Sequence, residues 1–426
     1  MTVETRNTRT GPWTPRVAVQ LSVLAAAAFI YVTAETVPVG ALTAIARGLS
    51  VSEVLVGTLL AWYALVAAVT TIPLVRWTAR WSRRDTLLLT LVCLTVSQLA
   101  SAVAPNFEVL AGARVLCAVT HGLMWSVIAP IATRLVPASH AGRATTVIYF
   151  GTSLALVFGN PLTTAMSMMW GWRLAVMVVA VAAAVVTVTA WLMLPRMTPT
   201  RAQLAAVGRP ARHHRNGRLL SLSGFTLIAV AGHFISYTFI LVIIRDVIGV
   251  EGPDQAWFLA AYGIAGLIAV PLVARPLDRR PKVAVITCMA VLTAAFALLA
   301  ALAFGGRPGV GVAVAGTVAI VLWGATAMAV SPVLQSAAMR AAPEDPDGAS
   351  AVYVAAFQVG IMAGSLLGGL LYERVGVPAM LAASAVLISG VLAGVAASRG
   401  VFVVSSPSGN RNVHHYPEDQ TSSSTR

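Results

Sequence analysis

The chain is 426 residues long, 58% hydrophobic and only 10% charged, where a soluble domain has roughly 45–50% apolar and about 25% charged residues; an ordinary water-soluble fold is excluded. The net charge of +14 does not point to nucleic acid, because 28 of the 29 basic residues are Arg and scatter through short connections instead of forming one stripe. The three cysteines, Cys93, Cys117 and Cys288, lie in apolar runs without CxxC spacing, so neither a disulfide framework nor a metal site is expected.

Residues 1–16 are polar, without the apolar segment or cleavage signal of a removable leader, and read as a cytoplasmic tail. From there, apolar runs of about 20 residues predict helices over 17–45, 53–75, 86–104, 107–133, 144–167, 172–194, 219–244, 255–274, 282–304, 309–337, 349–371 and 376–398. Each is long enough to cross a hydrocarbon core of roughly 30 Å. The fold class is therefore all-α integral membrane, with twelve transmembrane helices. The longest internal polar stretch, 195–218, divides them into six-helix bundles at 17–194 and 219–398 and reads as a cytoplasmic linker. The Ser-rich segment 399–426 reads as a disordered cytoplasmic tail.

With the N-terminus in the cytoplasm, 23 basic residues fall in cytoplasmic tails and connections and 5 in outer ones, leaving Arg114 inside a span. That is the positive-inside bias of a multi-pass protein of the cell membrane. The two halves also echo each other: Arg134-x-x-Pro137-x4-Gly142 after the fourth span recurs as Arg340-x-x-Pro343-x4-Gly348 after the tenth. A weaker echo sets Ala61-Trp62-Tyr63 beside Ala256-Trp257-Phe258. Matches in register argue for duplication of a six-helix unit, giving two pseudo-symmetric bundles.

Few groups in the spans carry chemistry. Glu35 is the one carboxylate well inside a span. A charge in hydrocarbon costs at least ~2.5–3.5 kcal/mol, so an intramembrane acid is a functional candidate. An acid kept from bulk water can take up and release a proton near neutral pH, which coupling to a proton gradient needs. Arg114 in the fourth span falls at a similar depth, close enough to pair with Glu35, unless it ties to backbone carbonyls instead. His121, seven residues on, shares its face. In the second half His233 and Tyr237 lie four apart on the seventh span, and Gln335, Tyr353 and Gln358 add neutral hydrogen-bonding groups. His121, His233, Tyr237, Gln335 and Gln358 form the expected substrate cavity, suited to an uncharged polar solute such as a sugar or to an amphipathic drug. Gly360, Gly364 and Gly368 recur every four residues in the eleventh span and predict close helix approach.

Ala34-Glu35-Thr-Val-Pro38-Val-Gly40 in the first span, Arg114 with His121 in the fourth, Gly151-x7-Gly159-Asn160-Pro161 in the fifth and Gly171-Trp172-Arg173 before the sixth resemble the major facilitator superfamily. The likeness is closer to its twelve-helix drug:proton antiporter branch with the bacterial sugar efflux transporters. The resemblance, over about 20–400, implies alternating access around a central cavity. It makes Glu35 the proton-linked acid with Arg114 beside it, and Gly151, Gly159, Asn160 and Pro161 a hinge that favours export. Between spans two and three the family pattern Gly-x-Leu-Ala-Asp-Arg-x-Gly-Arg-Arg is matched at Arg80, Arg83 and Arg84, but Val75, Ala79 and Ser82 replace its two glycines and its Asp. The cytoplasmic gate that the Asp normally helps hold must therefore be built otherwise, or be looser. The expected function is proton-coupled export of a small neutral solute, sugar or sugar-like, with antibiotic export by the same machinery as the alternative. No cofactor and no enzymatic activity are expected, since the spans hold no HExxH, GxSxG or clustered acids. The partners expected are a small solute, protons and the bilayer, with the protein a monomer.

Overall fold

Helices begin where the sequence supplies caps. In the computed structural model, which describes residues 14–137, 141–198, 215–305, 309–342 and 346–402, Thr14, Asn106 and Asn216 each accept a hydrogen bond from the backbone N–H three residues on, opening the first, fourth and seventh spans. Gly171 and Gly376, both at φ +92°, each turn the chain from one span directly into the next. A side chain would strain that conformation, so single glycines serve as complete connections at corresponding places in the two halves.

Eleven helices among the described residues are long and apolar enough to cross a membrane. The helix Gln255–Arg279, 25 residues long, stands in the place predicted for the eighth span. The predicted first span divides into Pro15–Gly40 and a short helix, Leu42–Leu49. The fifth is Ala141–Leu154 and Asn160–Trp170 joined by a π-helical turn, Ala155–Gly159. The polar N-terminal tail through residue 13, most of the linker and the tail from 403 lie outside the described residues.

Packing sorts the spans by depth. In the first, 61% of the apolar window is buried, but in the sixth, Trp172–Met193, only 28%, and the sixth exposes Val178, Val181, Val185 and Val188. An apolar outward face on a helix of this length and hydropathy suits lipid. This is a multi-pass membrane protein.

The glycines of the eleventh span do what their spacing predicts. A Cβ on Gly360, Gly364 or Gly368 would press on the carbonyl oxygens of Leu227, Ala231 and Ile235 of the seventh span, Gly217–Tyr237, so the two backbones lie in contact. The first half repeats the arrangement: Gly151 lies flush against the Ala25 carbonyl and Gly159 against Thr33. Gly151 and Gly159 are thus close-approach points of the fifth span on the first. The halves meet along two seams, the second span with the eleventh and the fifth with the eighth. Gly57 faces Phe239 on one seam, and Gly263 faces the Leu156 carbonyl on the other.

Candidate functional site

Two residues on from Thr33 in the first half is Glu35, and two on from Ile235 in the second is Tyr237; the repeated helix pairs thus carry an acid and a phenol to matching places. Around each lies a cluster of polar and aromatic groups.

Glu35 projects toward His121 on the fourth span, Phe107–Arg134. Its Oε2 lies 3.8 Å from Nδ1, with side chains 14% and 5% exposed. The same nitrogen is 2.9 Å from the hydroxyl of Tyr63. Tyr31 and Tyr63 meet the imidazole edge-on, at 5.8 and 5.4 Å between centroids. Tyr31, one helical turn before Glu35, donates to the Cys117 carbonyl at 3.0 Å, fixing the first span against the fourth.

Arg114 corrects the expected pairing. Its guanidinium donates to the carbonyl oxygens of Ala34 at 3.3 Å and Glu35 at 2.9 Å and lies 5.5 Å from the Tyr63 ring centroid. The cause is Pro38, inside the first helix. Proline has no N–H, so the carbonyl four residues back, Ala34, loses its helical partner. Arg114 supplies the missing donor, while His121 is the group beside the carboxylate.

The second cluster is reached from the neighbouring residue. Thr36 donates to Asn160 Oδ1, and Asn160 Nδ2 donates to the Tyr237 hydroxyl at 3.3 Å, so a hydrogen-bonded chain passes from the first half to the second. Tyr237 stacks on His233 at 5.0 Å and 22°. His233 Nδ1 accepts from Trp323 Nε1 at 2.9 Å, which leaves the ring proton on Nε2. Tyr262 and Trp323 pack perpendicular to each other at 5.7 Å. The arrangement sets a carboxylate beside an imidazole and gathers neutral hydrogen-bonding groups and aromatic faces around them.

Of the predicted cavity residues, His121, His233 and Tyr237 are brought together with Asn160 in these linked clusters. Gln335 is half-buried on the tenth span, Val310–Ala341, and Gln358 is buried on the eleventh with its side-chain oxygen unpartnered. Pro161 opens the helix after the π-turn. Arg84 donates to the Trp191 carbonyl of the sixth span and the Arg83 amide to the Met197 carbonyl at the start of the linker; Arg80 is exposed. Sequence reasoning missed Tyr31, Thr36, Tyr63, Tyr262 and Trp323. Tyr31 carried a usable signal, four residues from Glu35 and so on its face. Among the described residues no group of three or more His, Cys, Asp or Glu could hold a metal ion.

The family model described as the Major Facilitator Superfamily matches residues 24–349 and 222–418. The chain belongs to this superfamily. It is 69% identical over 398 residues, 93% of this chain and 96% of the relative, to a chloramphenicol efflux pump of Mycobacterium tuberculosis. It is 29% identical over 354 residues, 83% of this chain and 87% of the relative, to a probable sugar efflux transporter of Mannheimia succiniciproducens. Among solved structures, a variant of the nucleoside transporter NupG superposes with a TM-score of 0.71 at 13% identity, covering 89% of this chain and 99% of that one. A bacterial homologue of the human lysosomal transporter Spinster gives 0.62 at 17%, covering 90% and 95%. Both show the fold alone. The superfamily member's likeness to the drug:proton antiporters stands, but the expected sugar-like solute is overturned: the relatives at 69% identity are chloramphenicol efflux pumps, and the sugar transporter is far more distant. Threonine, asparagine and aromatic side chains suit either kind of solute and do not separate sugar from drug.

Proposed function

We propose that this member of the superfamily exports chloramphenicol or closely related uncharged aromatic antibiotics in exchange for protons, working as a monomer in the cell membrane with both termini in the cytoplasm. The observation that carries the coupling is the Glu35 carboxylate 3.8 Å from His121 in a cluster linked through Thr36 and Asn160 to Tyr237 of the other half. Glu35 takes a proton from outside and gives it up inside as the bundles 17–194 and 219–398 rock. His121 is its immediate exchange partner. Arg114 holds the backbone beneath the acid and keeps positive charge near it. Asn160 carries the hydrogen bond to Tyr237 and Pro161 stands next to it at the start of the helix after the π-turn, and Arg80, Arg83 and Arg84 serve the cytoplasmic end. Chloramphenicol, a neutral nitroaromatic with hydroxyl and amide groups, suits the aromatic faces of Tyr237, Tyr262 and Trp323 and the hydrogen bonds of Thr36 and Asn160.

Export of a neutral molecule against one proton moves net charge, so transport responds to membrane potential by about 2.3 kcal/mol per charge per 100 mV. The test is uptake of labelled chloramphenicol into everted vesicles acidified inside. Wild-type protein accumulates the drug, and Glu35→Gln gives the level of vesicles without the protein. Undiminished uphill uptake by Glu35→Gln removes the acid from the mechanism; no uptake by wild type removes the drug.

A further inference from the structure

Gly171-Trp172-Arg173 is not used by the transport pathway above. Where the fifth span ends, Gly171 turns the chain and Trp172 folds inward, 3% exposed. Its Nε1–H is buried without a hydrogen-bond partner and faces Gly48, at the end of the short helix Leu42–Leu49. Between these elements lies a pocket of about 410 Å³ with Arg47, Arg173 and Trp172 in its wall and no acidic side chain lining it. Arg173 is held in place, its guanidinium 4.4 Å over the Trp172 ring and donating to the Ala104 carbonyl at 2.9 Å. The sixth span starts at Trp172 with no side-chain cap, so its first-turn N–H groups and the positive end of a 22-residue helix add to the same field. An indole donor left unpaired in a buried place costs free energy that a bound acceptor returns.

Two arginines, a tryptophan whose buried indole N–H is unpaired and a helix N-terminus line one pocket with no acidic side chain in its wall. We infer that it binds the phosphodiester headgroup of an anionic membrane lipid. The neighbours fit a lipid and not a free ion: Trp170 is 61% exposed, and Met169 and Leu174 are also exposed, an apolar bank along which acyl chains lie while the headgroup sits at interface depth. Under the orientation proposed above this is the outer leaflet; the site itself does not depend on that orientation.

The experiment is thermal unfolding of the purified protein in detergent with phosphatidylglycerol, phosphatidylcholine or inorganic phosphate added at equal concentration. A ligand that binds only the folded state raises Tm. Phosphatidylglycerol is expected to raise it by about 3 °C more than phosphatidylcholine. Arg47, exposed on the short helix, is the residue to change: Arg47→Gln should lose at least half of that shift with an unchanged Tm in detergent alone, and Arg47→Lys should retain most of it. Gly48→Ala, whose Cβ would crowd the Trp172 Nε1 and so displace the indole, should also lose it with both arginines present. An undiminished shift in Arg47→Gln overturns the site. A rise with inorganic phosphate matching that with phosphatidylglycerol overturns the lipid as occupant.

Discussion

At the scale of single residues, the spacing that placed Arg114 level with Glu35 was legible because both lie in helices of known rise per residue. Which oxygen the guanidinium takes was not, since a carboxylate and the carbonyls beside it sit at one depth. The deciding residue, Pro38, was in view, and its consequence is testable. If Arg114 replaces the donor that Pro38 removes from Ala34, the two positions are coupled. Arg114→Lys, which keeps the charge but loses the planar fork, should destabilise the protein by about 1.5–3 kcal/mol, the range for hydrogen bonds to charged groups. In a Pro38→Ala background the Ala34 carbonyl regains its helical partner, and the same change should cost about 1 kcal/mol less. Thermal unfolding of the four proteins in one detergent measures the cycle; strict additivity would mean that Arg114 does not serve the proline break.

At the scale of elements, the spans could be read from apolar runs because a bilayer leaves only helices and closed barrels to satisfy the backbone's hydrogen bonds, and runs of about 20 apolar residues fit the helix. The four-residue glycine spacing likewise disclosed the contact between the seventh and eleventh spans. The π-turn at Ala155–Gly159 was not legible, since no hydropathy pattern separates a widened turn from a regular one. The contact of Gly151 and Gly159 with the first span was hidden for a related reason: their spacing names no partner helix. Backbone contact makes a sharp prediction at Gly364. Its Cβ would meet the main chain of Ala231, which cannot rotate away, so Gly364→Ala should destabilise by about 1–3 kcal/mol as the helices are pushed apart. Gly112, with nothing within 4 Å of an added Cβ, is the matched control: Gly112→Ala should be neutral or slightly stabilising, as alanine is in a helix. Unfolding midpoints of the two variants decide it; equal effects would deny that the glycine row is a backbone seam.

At the scale of the whole molecule, the echo between halves announced two related bundles, but not how they close on each other. Glu53 opens the predicted second span and Arg245 falls in an outer connection, and nothing in the sequence places them face to face. In the structure Arg245 Nη1 donates to Glu53 Oε1 at 2.9 Å and Tyr372 donates to Oε2 at 3.0 Å, so the second span of one half is tied to groups of the other at the end remote from the termini. Phe239 against Gly57, and Val54 against Gly369, close the seam beside it. A transporter that opens alternately at its two ends must break this tie in each cycle, so the tie sets part of the balance between the two states. The side chains are 29% and 19% exposed, and a partly exposed ion pair contributes about 1 kcal/mol, equivalent to about a fivefold change in population. Glu53→Gln should therefore shift the protein toward opening at this end. With Val54→Cys as reporter, an impermeant maleimide applied from that side should react about fivefold faster in the Glu53→Gln background. An unchanged rate would mean that the ion pair does not hold the two halves together there.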